Sequence, residues 1–326
     1  MNIKEEKIIY TGNVPCEMKL CRIGHVDPHY HSQELELIFC FEGSVTLVAG
    51  HQEVKIKAGE IFSVDYRDIH YLYSDEEKKN NLVLVFHLNL TDLKIGWDYL
   101  ENLFFACEST HCYPYQQKAM EQVKDILLSL SYIHYSTPAS EASSHITDES
   151  LCRSTANKLM DIMVKYFNWF NYENQDDHIN LEFHDRFYRV LKHCNDNYKE
   201  KISVSQLAAS EHISRNYFSQ FVSKTVFSSF SFMIKYIRCY ESEQLLLKTD
   251  MSIAEISYAC GFSDPKRLYS SFKYWWQCTP TEHRNKYREY MDKPADISYL
   301  EGNEASSFIR DCITSWHLQK TLGSIL

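Results

Sequence analysis

The sequence predicts an α+β multidomain protein with an N-terminal β-barrel or sandwich, a helical middle region and an all-α C-terminal part. Three observations support this fold class. Residues 7–90 contain short apolar runs broken by Gly, Asp or Asn, residues 116–170 show helical periodicity, and residues 203–284 contain two helix-turn-helix patterns. The 326 residues are enough for two or three domains with ordinary cores.

The N-terminal runs have the pattern of antiparallel strands. Apolar and polar residues alternate within 45–48 and within 54–57, as they do in strands that are buried on one face. The runs recur at the spacing of about 8 to 12 residues that is typical of small sandwiches and barrels. We therefore predict a barrel or sandwich within residues 1–92.

Two segments of the middle region have the periodicity of amphipathic helices. In 116–134 and in 151–170 the apolar side chains recur at helical spacing and share one face. They are Met120, Val123, Ile126, Leu127, Leu130 and Ile133 in the first segment, and Leu159, Met163, Tyr166, Phe167 and Phe170 in the second. The Ser- and Thr-rich stretch 136–150 predicts an exposed loop, and the polar stretch 171–180 predicts a linker.

Residues 252–284 predict a helix-turn-helix unit. A short helix ends at Gly261, whose missing side chain permits a positive φ in the turn. Asp264 can cap the next helix and Pro265 suits its first turn. The second helix of such a unit enters the major groove of DNA, so this segment predicts double-stranded DNA as a partner.

A second helix-turn-helix pattern precedes it at 203–224. Ser214 can cap a helix that carries Tyr217, Phe218, Phe221 and Val222. An apolar stripe over 230–246 predicts a long helix between the two units. Two such units in one chain can place recognition helices in successive faces of the major groove, roughly 34 Å apart.

The charge of the chain is divided unequally. The whole chain has 34 Lys and Arg against 44 Asp and Glu, a net charge of −10. Residues 184–290 contain 16 basic and 11 acidic residues, a net charge of +5, which leaves −15 for the remainder. This asymmetry favours a phosphate-binding C-terminal unit next to an acidic part that phosphate would repel.

The composition predicts a reduced, cytoplasmic protein. The 11 cysteines include no CxxC pair, and no apolar stretch follows a basic N-terminal start. No run approaches the roughly 18 apolar residues of a membrane span. A secreted disulfide protein is the less favoured alternative.

The C-terminal unit resembles the DNA-binding domain of the AraC/XylS family of transcription regulators. The matching positions are Leu207-Ala208, Ser214, Phe221, Arg238, Leu246, Ser252-Ile253, Ile256, Gly261-Phe262, Phe272, Thr279-Pro280 and Arg284. The chain departs from the pattern at Phe227 and Gln277, where the family usually has Gly.

The N-terminal unit resembles the cupin-type sensor domain that often precedes this DNA-binding domain. His29-x-His31-x4-Glu36-x6-Gly43 matches the first cupin motif, and Gly59 with His70 matches much of the second. Asp65 and Arg67 replace the Pro and Gly of the second motif. The two resemblances imply the same arrangement of a sensor followed by a DNA reader.

They also imply four parts of the chain. Residues 1–92 would form a cupin-like ligand-sensing barrel, and 93–180 a helical dimerisation or linker region. Residues 181–290 would form the AraC-type DNA-binding domain, and 291–326 an extension of unknown role that could dock a partner or pack on the domain. For the middle helices, packing within one chain is the alternative to pairing between subunits.

The expected DNA contacts are the outward faces of the two recognition helices. Amides can bond adenine in two places, Arg and Lys can reach guanine, and hydroxyls can bond bases or phosphates. The residues are Arg215, Asn216, Ser219 and Gln220 in the first helix, and Pro265, Lys266, Arg267, Tyr269 and Ser270 in the second. The alternative is that these are merely solvated helix faces.

His29, His31, Glu36 and His70 are the expected ligand-binding residues. Alternate residues of a strand point to one face, so His29 and His31 can both enter the barrel. Imidazole and carboxylate ligands suit Zn, Fe or Mn. We favour a pocket for an organic ligand and assign no metal and no cofactor, with a metal site and a structural role as alternatives.

Together these observations predict a ligand-responsive, homodimeric transcription regulator without catalytic residues. The family often senses sugars, so an activator of a sugar-uptake or catabolic operon is the leading expectation, with a sugar as effector. An activator would also contact RNA polymerase, and no membrane partner is expected. The alternative is a metal-dependent cupin enzyme fused to a helix-turn-helix module.

Overall fold

The computed structural model describes residues 2–50, 52–74, 80–136, 145–169, 181–291 and 293–323. Its N-terminal part is a nearly closed antiparallel barrel, as predicted. The strands are β1 (Lys4–Glu5), β2 (Cys16–Tyr30), β3 (Glu34–Glu42), β4 (Ser44–Ala49), β5 (Gln52–Lys57), β6 (Ile61–Val64), β7 (His70–Tyr73), β8 (Leu82–Asn89) and β9 (Asp296–Leu300).

The order of hydrogen-bonded strands is β5-β4-β7-β2-β8-β3-β6, and each neighbouring pair is antiparallel. β1 and β9 pair with β2 outside this path. β3 is buried on both faces, since Leu37 and Phe39 pack in one apolar cluster and Ile38 and Cys40 in another. A strand covered on both sides requires a continuous apolar run, which explains its sequence.

The predicted alternation holds for β5 and fails for β4. In β5, Ile56 is buried and Lys55 and Lys57 are exposed. In β4, Thr46 and Val48 are buried as well as their neighbours. Val48 packs with residues of the C-terminal helices, so this face is covered by another domain and not by solvent.

The middle region is helical, with α1 (Trp97–Leu100), α2 (Gln117–Ser136) and α3 (His145–Ile162). The predicted second helix loses α-helical geometry at Met163–Phe167, a turn of π-helix. The loop predicted at 136–150 is wrong in part, because 145–150 are helical. Residues 137–144, Phe170 and the predicted linker at 171–180 lie outside the described residues.

The apolar face of α2 is used within the chain. Val123, Leu127 and Leu130 are fully buried. α2 packs against α3 and against the C-terminal helix α11 (Gly302–Gly323). Packing within one chain, the alternative to pairing between subunits, therefore accounts for the burial of this face. Dimerisation stays a prediction.

Seven helices in the described part of residues 181–291 form a C-terminal unit, which we call the DNA-binding unit after its predicted role. They are α4 (Leu181–Asn197), α5 (Val204–Ser210), α6 (Arg215–Ser223), α7 (Phe230–Lys248), α8 (Ile253–Ala259), α9 (Pro265–Trp276) and α10 (Pro280–Met291). Both predicted helix-turn-helix units are present, α5 with α6 and α8 with α9, and α7 is the long helix between them. None of the described helices has the length and apolarity to cross a membrane.

The residues after α10 return to the barrel. β9 pairs with β2, with Leu300 opposite Leu20 and Ile297 opposite Ile23. α11 then lies along α2, where the Trp316 indole N–H donates to Asp125 Oδ1 at 2.6 Å. The extension of unknown role is thus part of the body that contains the barrel and the middle helices.

The DNA-binding unit is docked on the barrel. Leu247 and Tyr287 pack in one cluster with Val48, Ile69 and Tyr71 of the barrel. The Tyr287 hydroxyl donates to the Ile69 carbonyl at 2.9 Å. Buried apolar contacts and a satisfied buried hydroxyl indicate a specific arrangement of the two parts.

Candidate DNA-binding surface and ligand sites

The second recognition helix, α9, begins as the sequence predicts. Gly261 has φ +76°, and a Cβ atom at this position would lie 2.5 Å from the Lys199 carbonyl oxygen, so only Gly fits the turn. The Asp264 side chain accepts a hydrogen bond from the Arg267 backbone N–H at 3.1 Å. Leu268 and Phe272 are buried, which fixes the opposite face outward.

Four of the five residues predicted to face DNA from α9 are exposed: Lys266, Arg267, Tyr269 and Ser270. Pro265, at the first position of the helix, is half-buried. The helix itself contains no carboxylate. Asp264 lies 3.4 Å from the Arg267 guanidinium. An exposed ion pair of this kind contributes little to stability, so a DNA phosphate can replace Asp264 as the partner of Arg267.

The first recognition helix, α6, is also capped as predicted. The Ser214 hydroxyl accepts from the Tyr217 backbone N–H at 3.2 Å. His212 has φ +56° in the turn, the left-handed conformation that Gly261 adopts in the second unit. The four residues predicted to face DNA are all exposed: Arg215, Asn216, Ser219 and Gln220.

Tyr217 lies at the edge of the exposed face of α6. Its side chain is 50 % exposed, and its ring lies 5.9 Å from the Arg186 guanidinium. The buried face of α6 consists of Phe218, Phe221 and Val222, which leaves Tyr217 at its edge. An aromatic side chain next to Arg215 is thus part of the exposed face that the sequence prediction missed.

Two arginines of the family pattern support the scaffold. The Arg238 guanidinium donates to the carbonyls of Tyr198 and Glu200 at 2.7 and 2.9 Å. Arg284 donates to the carbonyls of Leu246 and Met251 at 3.0 and 2.8 Å. The last carbonyls of a helix have no hydrogen-bond partner within the helix, and side chains such as these arginines can supply one.

Two of the three residues that replace expected glycines have the left-handed conformation; at Phe227 the positive φ, +53°, falls on the next residue, Ser228. Gln277 has φ +56° and Arg67 has φ +69°. A left-handed residue with a side chain costs about 1–2 kcal/mol. At Arg67 this cost accompanies an ion pair with Glu241 of α7, at 2.9 and 3.1 Å to its two carboxylate oxygens. The substitution in the second cupin motif therefore contributes a contact between the barrel and the DNA-binding unit.

The four residues predicted to bind a ligand converge in the barrel. In the paired strands His29 lies opposite His70, and Glu36 lies opposite His87. The Nε2 atoms of His31, His70 and His87 lie 2.9, 3.1 and 3.4 Å from one oxygen, Oε2 of Glu36. His87 was missed by the prediction, although a histidine within an apolar strand run is itself a signal.

Backbone carbonyls fix the orientation of three of these histidines. The Nδ1 atoms of three of them contact backbone carbonyls, which only accept, so each Nδ1 carries a proton. The carbonyls are those of Asp27, 2.8 Å from His29, Glu6, 3.2 Å from His31, and Asp68, 3.0 Å from His70. In the charged ring Nε2 also carries a proton and can donate to a carboxylate, whereas in the neutral ring Nε2 is an acceptor, the form that binds a metal.

The charges of the cluster follow from burial and close contact. Burial would raise the pKa of Glu36, but the charge of His70 and hydrogen bonds from three histidines hold it well below its usual value. Burial and His70 hold the pKa of His29 well below its usual value. Burial opposes protonation of His31, yet its hydrogen bond to Glu36 raises its pKa. Oε1 of Glu36 is buried without a hydrogen-bond partner among the described residues.

The free space beside the cluster is small. A cavity of about 40 Å³ is lined by His29, Glu36 and His87 and by Ile297 and Tyr299 of β9. A water molecule takes about 30 Å³, whereas pockets for organic ligands measure about 300–1,000 Å³. The volume therefore favours an ion over a sugar at this position.

Two family models match the chain. A cupin domain model matches residues 23–86, and a helix-turn-helix domain model matches residues 207–286. The chain thus contains a cupin domain followed by a helix-turn-helix domain.

The curated relatives are transcription regulators that the chain matches over about a third of their length. The lactose operon transcription activator of Staphylococcus xylosus is 30% identical over 93 residues, 28% of this chain and 33% of that protein. An uncharacterized helix-turn-helix-type regulator of Escherichia coli K12, YijO, is 26% identical over 109 residues, 33% of this chain and 38% of that protein.

Among solved structures, fatty acid-bound ToxT of Vibrio cholerae is 12% identical with a TM-score of 0.39, covering 85% of this chain and 97% of that chain. An AraC-type regulator of Chromobacterium violaceum is 24% identical with a TM-score of 0.31, covering 33% of this chain and 96% of that chain.

Proposed function

We propose that this protein is an effector-controlled regulator that binds double-stranded DNA through both recognition helices. The observation that carries this proposal is a pair of capped helices, α6 and α9, whose outward faces are exposed and contain no carboxylate. Arg215, Asn216, Ser219 and Gln220 of α6 and Pro265, Lys266, Arg267, Tyr269 and Ser270 of α9 would contact bases and phosphates. A small molecule would act by favouring one arrangement of the barrel and the DNA-binding unit over another.

In its finer form the proposal is a homodimeric activator of a sugar-uptake or catabolic operon that also contacts RNA polymerase. Its support is the similarity to a lactose operon activator. That similarity covers 28% of this chain, so it bears on operon type only indirectly.

Genome-wide binding tests both levels of the proposal. The tagged full chain is immunoprecipitated from its source organism with crosslinked DNA. We expect sites with two half-motifs about one helical turn apart, upstream of sugar genes. Enrichment without a shared motif would contradict DNA reading, and a clear motif beside unrelated genes would contradict only the sugar operon.

The histidine cluster supports a second candidate, a metal-responsive or metal-dependent cupin. Ligand atoms of His29, His31, Glu36 and His70 all lie within 4.8 Å of one another. Three histidines and a carboxylate are ligands that Zn, Fe and Mn share, and the backbone carbonyls orient the imidazoles as metal sites require. A metal would also be the first requirement of the alternative enzyme function.

Metal content checks this candidate. We expect the full chain, incubated with Zn²⁺ and desalted, to retain stoichiometric metal by mass spectrometry. His29→Ala with His31→Ala removes two ligands and should abolish retention, while His111→Ala, whose side chain is 71% exposed, should not. Metal-free wild-type protein after this treatment would show that the cluster is structural or binds an organic ligand.

A further inference from the structure

A second cavity, partly open to solvent, lies between the barrel and the DNA-binding unit. This interdomain cavity has a volume of about 260 Å³. Gly50, Asp65 and Asp68 line it from the barrel side, and Glu243 of α7 and Trp276 of α9 line it from the other. The lining includes none of the four residues predicted to bind the effector.

The lining of the interdomain cavity is acidic, and two of its carboxylates have an ion-pair partner outside the lining, Glu108 with His111 and Glu243 with His283. Its four carboxylates are Asp65, Asp68, Glu108 and Glu243, and its described residues include no Lys, Arg or His. Asp65 and Glu243 are 7% and 4% exposed. Burial, followed by the charge of Glu243, raises the pKa of Asp68 to about 7. Ionised carboxylates that are buried without an ion-pair partner, as Asp65 and Asp68 would be, are costly, and a bound cation would offset that cost.

Hydrogen bonds already orient these carboxylates. The Tyr240 hydroxyl donates to Asp68 Oδ1 at 3.0 Å. The backbone N–H of Phe105 donates to both oxygens of Asp65, at 3.0 and 2.9 Å. The Glu243 carboxylate contacts His283 Nε2 at 2.7 Å from outside the lining. These contacts hold the acceptors in fixed positions around the cavity.

Aromatic rings line the same cavity. Phe104, Trp169, Tyr236 and Trp275 form a continuous series, with ring centroids 6.4, 5.4 and 4.9 Å apart from one ring to the next. The face of an aromatic ring attracts cations, and most strongly where water is excluded. Rings together with carboxylates therefore select a positively charged organic group.

One buried donor in the lining indicates what else the ligand carries. Trp276 is 6% exposed, and its Nε1–H has no hydrogen-bond partner among the described residues. A Cβ atom added at Gly50, which lines the cavity opposite, would lie 3.6 Å from this nitrogen. A buried donor without a partner costs about 1–3 kcal/mol, so an acceptor on the ligand would be favoured here.

We propose that the interdomain cavity binds a small hydroxyl-bearing organic ammonium compound, such as an amino alcohol or an amino sugar. Asp68 and Glu243 receive the ammonium group between aromatic faces, and the Trp276 indole N–H donates to the hydroxyl oxygen. The volume is below the range of about 300–1,000 Å³ for drug-sized ligands, which limits the ligand to a small molecule.

Binding at this position has a regulatory consequence. Both domains contribute walls, so a ligand that needs both walls favours the docked arrangement over any other. Trp276 is the last residue of α9, which connects the cavity directly to the second recognition helix. This consequence rests on the proposed DNA-binding function, whereas the binding of the ammonium compound does not.

Matched cation and neutral pairs test the inference without DNA. The full chain is titrated by calorimetry with choline and with its uncharged carbon analogue 3,3-dimethylbutan-1-ol, and then with glucosamine and glucose. We expect at least one of the two cations to bind, and its neutral partner to bind at least about tenfold more weakly. Equal binding of both members of a pair would overturn the choice of a cation, as would the absence of heat with both cations.

Variants then locate the site. Asp68→Asn and Glu243→Gln keep the shape of each side chain and remove its charge, and each should weaken cation binding about tenfold or more. Glu53→Gln is the control, because Glu53 forms an interdomain ion pair with Lys286 at 2.8 Å but does not line the cavity. Unchanged affinity in both cavity variants, with wild-type circular dichroism, would overturn the assignment. Gel-shift assays on the same proteins report DNA binding separately.

Discussion

Replacing Lys266 and Arg267 together by alanine is expected to abolish specific DNA binding while the protein remains folded. Both side chains are exposed on α9, and neither contributes to the core beneath Leu268 and Phe272. A good contact to a base edge discriminates by about 1–3 kcal/mol, so losing two contacts weakens specific binding roughly 30-fold or more. Loss of two positive charges also weakens binding to every sequence and lowers its salt dependence.

A gel-shift titration at fixed salt measures this effect, on DNA selected by the wild-type protein. The control is Lys55→Ala with Lys57→Ala, which removes the same charge from exposed positions on β5 of the barrel. Its affinity should stay close to that of the wild type. Equal losses in both variants would mean that net charge, and not the face of α9, controls binding.

Ile309→Ala is expected to lower the free energy of unfolding by about 2–5 kcal/mol, the usual cost of truncating a fully buried isoleucine. Ile309 lies on α11 and has no exposed surface. Although it follows the DNA-binding unit in the sequence, it belongs to the apolar cluster that includes Leu127 and Leu130 of α2. The loss should therefore destabilise the sensor part of the molecule.

Urea unfolding followed by tryptophan fluorescence measures the change. Arg310→Ala is the matched control, since Arg310 is the exposed neighbour of Ile309, and it should alter stability by no more than about 0.5 kcal/mol. If the two variants unfold at the same urea concentration, α11 does not pack on α2 in solution. The contribution of the C-terminal residues to the sensor would then have to be abandoned.

The sequence predicted those elements that local patterns determine. Ser214, Gly261 and Asp264 mark turns and helix starts through their own backbone chemistry, and the structure has them in those roles. The spacing of His29, His31 and Glu36 likewise placed three groups together, because strand alternation fixes side-chain direction.

Other features depend on contacts between residues far apart in the chain. β9 has five residues and pairs with a strand more than 270 positions earlier, so no local pattern indicates its partner. The interdomain cavity is formed by side chains of the barrel and of α7 and α9. Tyr217 was not among the residues predicted to face DNA, because a short helix has few positions with which to define its buried face.

The path of the chain through β9 makes the DNA-binding unit an insert. Its neighbours on both sides in the sequence, the middle helices and the β9–α11 segment, belong to the same body. A domain attached at both ends can rotate only about the line between its two attachment points. A domain attached by a single flexible linker can rotate freely and move away from its neighbour. The recognition helices therefore stay at high local concentration beside the barrel.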